Sequence, residues 1–238
     1  MAWLRSDLIL DALADLPRGA RVLEVGAGMG AMGARLAERF DYTAVESDAT
    51  SAAAAAERIE PRGGRVLRAD LHAVDFDSGF DAVCAFEVLE HLEDDLAALR
   101  GWRELLVPDG RVVLSVPAWQ ERFGVTDVHV GHYRRYDPPV LADRLAEAGF
   151  RDIDAELYGF PLGNALEAVR SQIARRRPAP ADAAHGSAAS GRFLQPSGSL
   201  AALPAVVTWP FRALHRPGAR RGVGLVASAR RAGGSPSA

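Results

Sequence analysis

Six apolar runs alternate with helix-forming stretches across the first 160 residues, and that rhythm leaves few folds open. The runs are RVLEVG (21–26), YTAVES (42–47), RVLRAD (65–70), FDAVCAFEVL (80–89), RVVLSVPA (111–118) and RDIDAELYGF (151–160). Between them lie MGARLAERF (32–40), the alanine-rich ATSAAAAAERIE (49–60), a helical stretch over 94–110 stopped by Pro108 and Gly110, and PPVLADRLAEAGF (138–150). Strands alternating with helices imply a parallel sheet joined by right-handed crossovers. The nearly unbroken apolar run at 80–89 suits a strand in mid-sheet, covered on both faces. The first nineteen residues carry Asp7, Asp11 and Asp15 at four-residue spacing. That pattern predicts an amphipathic helix, not the apolar stretch of a secretory leader.

At 238 residues the chain fits one α/β domain with room for an appendage. It holds no run of eighteen apolar residues, so no spanning helix is expected. The single cysteine, Cys84, sits in a strand pattern and reads as inert core in a reducing, cytoplasmic setting. Net charge is −3, but unevenly spread, and there is no lysine. From Asn164 onward 11 arginines face only Glu167 and Asp182, so an acidic body carries a basic tail region.

The stretch VLEVGAGMGAMGARL (22–36) runs from a strand into glycines at 26, 28, 30 and 33. Such a turn lets a ligand approach the backbone closely at a helix N-terminus. With Ala31 it also satisfies the dinucleotide pattern G-x-G-x-x-G/A, so the glycines alone leave the ligand open. Glu46 ends the second run twenty residues beyond Gly26, the offset of an acid that holds ribose hydroxyls. Glu24, two residues before Gly26, would repel a pyrophosphate and suits a ligand bearing cationic or amino groups.

Taken in order, VLEVGAGMG, AVES, RAD and FDAVCAFEVLEHLEDD resemble the successive motifs of class I S-adenosylmethionine-dependent methyltransferases. The resemblance covers roughly residues 20–160, with a closing strand at 222–231. It implies a three-layer Rossmann-like α/β sandwich: a seven-stranded, mostly parallel sheet with an antiparallel last strand. It also implies that Gly26, Ala27 and Gly28 line the methionine part of S-adenosylmethionine, with Glu24 nearby as a water-mediated or structural acceptor. Glu46, with Ser47 beside it, would hold the ribose diol. Asp70 would accept from the adenine amino group next to Leu71. Phe86 and Glu87 would wall the end of the fourth strand, with His91 just beyond.

Ligands in open parallel sheets bind beyond the carboxyl ends of the strands. The segment VPAWQERFGVTDVHVGHYRRYDP (116–138) would overhang that mouth as a loop, and a similar D…GHYRRY stretch occurs in a subset of these methyltransferases. Three readings stand for it. Arg134 and Arg135 would clamp an anionic group on the acceptor, His132 would act as general base, or the loop would brace itself through its own contacts. Asp127, His129 and His132 are of metal-ligating types, but lack the compact framework of a zinc site, so no metal is expected.

The expected organisation is a core over 1–163, a basic helical or flexible insertion or cover over 164–221, a final core strand at 222–231 and a disordered tail at 232–238. Within the insertion, NALEAVRSQIARRR reads as a helix, and 178–199 is a Pro/Ala/Gly/Ser-rich linker. The insertion reads as a cover on the sheet, with peripheral membrane contact as a second use. No aromatic-interleaved basic surface marks the body, which argues against nucleic acid. The expected activity is methyl transfer, foremost to oxygen, on a small-molecule, lipid- or sugar-type acceptor. An NAD(P)-dependent oxidoreductase and a non-catalytic cofactor-binding scaffold are the alternatives.

Overall fold

The computed structural model describes residues 2–76, 79–161, 163–164, 167 and 221–233. The chain runs α1 (Ala2–Ala12), β1 (Arg21–Val25), α2 (Gly33–Leu36), β2 (Asp41–Glu46), α3 (Ala49–Ile59), β3 (Arg65–Arg68), β4 (Phe80–Phe86), α4 (Asp95–Glu104), β5 (Leu106–Pro117), α5 (Val125–Val130), α6 (Pro138–Glu147), β6 (Phe150–Tyr158) and β7 (Gly224–Arg231). One seven-stranded sheet has the order β3-β2-β1-β4-β5-β7-β6. β7 runs antiparallel to both β5 and β6, and the other pairs are parallel. The α/β sandwich expected from the sequence is therefore present, antiparallel strand included.

Period-two side chains build two cores, one on each face of the sheet. From β1, Leu23 and Val25 join Val83, Leu99, Trp102, Leu141 and Leu145 beneath α4 and α6. Val22 points the other way, to Ile9, Leu13, Tyr42, Ala55 and Ile59 beneath α1 and α3. Cys84 is fully buried at the centre of this second layer. Helix starts follow local chemistry: Asp48 caps α3 by accepting from Ser51 N at 2.8 Å, and Asp94 caps α4 by accepting from Ala97 N at 2.8 Å.

Besides α4, which ends at Glu104 and gives way to β5 at Leu106 within the helix expected over 94–110, two elements differ from expectation. The crossover helix expected over 32–40 is regular only at Gly33–Leu36. Its glycines are there for close packing: a Cβ on Gly33 would lie 2.4 Å from Tyr42 Oη, and one on Gly30 would lie 2.8 Å from Ala55 Cα. Beyond Leu36 the chain continues in turns to Phe40, whose N–H donates to Leu36 O at 3.0 Å. The second difference is α5, a short helix inside the segment expected to be loop, set between Gly124 and a left-handed Gly131. The expected helix at the start of the insertion, the linker at 178–199 and most of the tail lie outside the described residues. Among the described residues no helix is long and apolar enough to cross a membrane.

Candidate functional site

Strands β3, β2, β1 and β4 are neighbours, so their carboxyl ends set Asp70, Glu46, the glycine turn and Glu87 in one row. The chain order reverses between β1 and β4, the place where open α/β sheets receive ligands. Gly26, Gly28 and Gly30 all adopt positive φ (72°, 52° and 76°), a region open to glycine at little cost. A Cβ on Gly26 would strike Val88 Cγ2 at 2.7 Å, whereas one on Gly28 would meet nothing within 4 Å. The turn is thus packed against protein at Gly26 and faces open space at Gly28. Glu46, half-buried, accepts from Gly28 N at 2.8 Å through Oε2 and from Asp48 N at 2.9 Å through Oε1. Ser47 beside it is exposed. Asp70 is exposed too, and its Oδ1 accepts from His72 N at 2.9 Å, capping a turn in which Leu71 is half-buried. An open glycine backbone beside carboxylates held by main-chain donors fits a ligand rich in hydroxyl and amino groups.

Glu24 takes the structural of its two expected roles. It is 2% exposed, beneath the turn, and Tyr42 Oη donates to its Oε2 at 2.5 Å. Burial, opposed by that hydrogen bond and by Arg5, pushes its carboxyl up to about 7. Ala27 and Phe86 are buried as well and shape the floor of the cleft. Glu87 has the strained φ of 58° at the end of β4. Its carboxylate accepts from Ser115 Oγ at 3.0 Å and from Tyr158 Oη at 3.4 Å, and pairs with Arg5 Nη1 at 3.3 Å. Arg5 comes from α1, so the first helix reaches into the cleft, a link invisible in local sequence.

The 116–138 segment is braced by its own charges. Asp127, 2% exposed, takes two bonds from Arg135, Nε at 2.8 Å and Nη2 at 3.0 Å, and faces His132 Nδ1 at 3.0 Å. Burial alone would raise the Asp127 carboxyl, but the bonds from His132 and Arg135 together hold it below its ordinary range. Arg135 is buried and also pairs with Glu167, so its donors are engaged by protein carboxylates. Arg134 is likewise engaged, by Asp95 Oδ2 at 3.0 Å and Glu93 O at 2.6 Å, which turns it from clamp to brace. The other nitrogen of His132 lies 3.9 Å from Oε1 of the buried Glu90, beyond hydrogen-bond distance. His91 packs against this group. Its Nδ1 meets Gly131 O at 3.2 Å, and its ring stands edge-on to His132 at 4.6 Å. Burial and the neighbouring His132 push His91 down to about 4, which keeps it neutral.

A cavity of about 620 Å³ opens beside this loop, bordered by Asp95, Arg134, Tyr136 and Arg144. None of the residues expected to hold the cofactor lines it, and its charges already pair with one another: Asp95 accepts from Tyr136 Oη at 2.9 Å and meets Arg134. It reads as a gap between α4 and α6.

A family profile described as a methyltransferase domain matches residues 3–155. The chain belongs to this methyltransferase family. The methyltransferase is 39% identical over 116 residues to the uncharacterized methyltransferase Rv0089 of Mycobacterium tuberculosis, a match covering 48% of this chain and 58% of that protein. It is 33% identical over 119 residues to a ubiquinone biosynthesis O-methyltransferase of Neisseria meningitidis, covering 47% and 49%. The chain thus spans about half the length of the curated relatives it matches. Among solved structures, a Haemonchus contortus phosphoethanolamine N-methyltransferase 2 in complex with S-adenosylmethionine aligns at a TM-score of 0.64 and 18% identity, over 97% of this chain and 53% of that one. The Bacillus subtilis protein YcgJ aligns at 0.62 and 15%, over 98% and 100%. These structures share the fold.

Proposed function

We propose that the protein binds S-adenosylmethionine along the carboxyl ends of β1–β4 and transfers its methyl group to a small-molecule acceptor, at oxygen. The observation that carries this reading is the unit formed by Gly28 and Glu46, an open glycine backbone locked to an acid positioned for a ribose diol. Gly28 leaves room for the amino-acid end, with Gly26 packed on Val88 to hold the turn, Glu46 receives the diol, and Asp70 with Leu71 receives the adenine. The cofactor supplies a methyl group activated by a sulfonium. The protein's part is alignment and water exclusion, the main needs of an in-line displacement. Arg5 ties α1 to Glu87 at the end of β4, and Arg135 braces the 116–138 segment on Asp127. Oxygen as receiving atom draws support from the ubiquinone O-methyltransferase likeness. Residues 1–163 and 222–231 form the core of this reading; most of 164–221 lies outside the described residues.

Calorimetric titration with S-adenosylmethionine, S-adenosylhomocysteine and NAD tests it. Binding of both sulfur compounds without NAD is expected. Binding of NAD alone would sink the reading.

A further inference from the structure

We infer that Glu90, His91 and His132 form a binding site for one divalent transition-metal cation. A carboxylate oxygen of Glu90 and one ring nitrogen from each histidine lie within 4.8 Å of one another. Glu90 is fully buried, yet among the described residues neither of its carboxylate oxygens has a hydrogen-bond partner. Buried polar atoms are ordinarily satisfied, and two orphaned oxygens on one acid need an explanation.

The histidines supply it. His91 Nδ1 meets the carbonyl oxygen of Gly131 at 3.2 Å and His132 Nδ1 meets the Asp127 carboxylate at 3.0 Å. Both partners are acceptors, so each Nδ1 carries the hydrogen and each Nε2 is left with its lone pair. His132 Nε2 then faces Glu90 Oε1 across 3.9 Å, beyond hydrogen-bond distance. Burial raises the Glu90 carboxyl well above its ordinary value, so either a proton or a cation meets its charge. A cation held by all three donors would also use the two histidine lone pairs. Outer hydrogen bonds from a carboxylate and a backbone carbonyl are also what orients imidazoles that bind metal. Asp127 is in turn fixed by Arg135 and by Gly124 N at 2.9 Å, so the support extends two layers back.

Two imidazoles and one carboxylate select a borderline transition cation such as Zn²⁺ over Mg²⁺, which prefers oxygen alone. Ligand bonds of about 2.0–2.2 Å require the three donors to draw inward by about an ångström. Three protein ligands leave coordination positions open, and their use to hold an acceptor oxygen rests on the methyl-transfer reading above. Asp127, which alone of the sequence-flagged acids pointed this way, stands behind His132 as its orienting partner; His129 takes no part in the cluster.

The test is titration of chelator-treated, tag-free protein with Co²⁺, read by visible absorption, with Zn²⁺ as competitor. One saturable equivalent displaced by Zn²⁺ is expected. Glu90→Gln and His132→Gln should each weaken it about tenfold or more, while His72→Gln and His129→Gln leave it unchanged. Glu90→Gln removes a buried, unpartnered acid and should fold; if circular dichroism shows otherwise, His91→Gln carries the test. Absence of saturable binding, or equal binding in wild type and Glu90→Gln, overturns the site, leaving a proton as the occupant between Glu90 and His132. Calorimetry with S-adenosylmethionine on the same metal-free protein separates the two claims. Loss of Co²⁺ binding with cofactor binding intact counts against the metal site alone, and the reverse counts against methyl transfer alone.

Discussion

Glu46 Oε2 accepts the backbone N–H of Gly28 at 2.8 Å, tying the acid at the end of β2 to the turn that follows β1. One carboxylate thereby shapes the turn and presents itself to the cleft. The two tasks separate in degree by substitution. Glu46→Gln keeps one acceptor oxygen for Gly28 N–H but sets an amide NH2 against Asp48 N–H and loses the charge offered to a diol; Glu46→Ala loses both acceptors. Calorimetry should show S-adenosylmethionine affinity reduced in both variants by about 1–3 kcal/mol, the range of a hydrogen bond to a charged group. Thermal unfolding should be lowered in both, and further in Glu46→Ala. Wild-type affinity in either variant would remove Glu46 from the site.

The glycines of the same turn make opposite demands. At Gly28, φ is 52° and a Cβ would project into open space, so Gly28→Ala should cost about 1 kcal/mol of stability. The added methyl stands where a cofactor would approach, and binding should fall at least tenfold. Gly33→Ala should do the reverse. Its Cβ would collide with Tyr42 Oη, so the fold should lose about 1–3 kcal/mol as an overpacked site, with the surviving folded fraction still binding cofactor. Chemical denaturation alongside calorimetry measures both.

The contrast between turn and loop shows what local sequence can carry. The strand rhythm, the glycine turn, the offset from Gly26 to Glu46 and the Asp70 turn are written within short windows, and each lies where the sequence placed it. The 116–138 segment is different because its partners are remote. Arg135 looks like a free clamp until Glu167, beyond β6, and Asp127 are seen to hold it. His91 looks like cofactor wall until folding sets it edge-on to His132, 41 positions along the chain. Arg5 meeting Glu87 is a contact between the first helix and the fourth strand. Glu90 carried one faint signal, an acid set between Leu89 and His91 with Val88 and Leu92 beyond.

Stability should depend on Glu24 near neutrality. Its carboxyl is raised by burial to about 7, so the folded chain binds a proton that the unfolded chain, with an ordinary carboxyl near 4.5, releases. Stability is therefore fullest below the ordinary value and declines as pH rises from there to about 7, by about 3 kcal/mol in total. Glu24→Gln removes the titrating group and keeps a partner for Tyr42. Denaturation curves at pH 5 and pH 8 should show wild type weaker at pH 8 and the variant much less sensitive. Equal pH dependence in the two proteins would contradict a buried, proton-binding Glu24.

Arg135 offers the sharpest test of a braced loop against an acceptor clamp. Its guanidinium meets two carboxylates at once, Asp127 with two donors and Glu167 with a third. Removing it leaves Asp127 buried without its strongest partner, so Arg135→Ala should destabilise by about 3 kcal/mol or more. Arg135→Lys should recover little, because an ammonium cannot reproduce the planar fork. Asp127 is held below the ordinary carboxylate range, so its contribution is present above that range and lost as pH falls through the lowered value. Wild type should accordingly lose stability on acidification more steeply than Arg135→Ala, in which the carboxyl is released upward. A clamp would behave otherwise: Arg135→Ala would keep wild-type stability at every pH and lose only acceptor affinity.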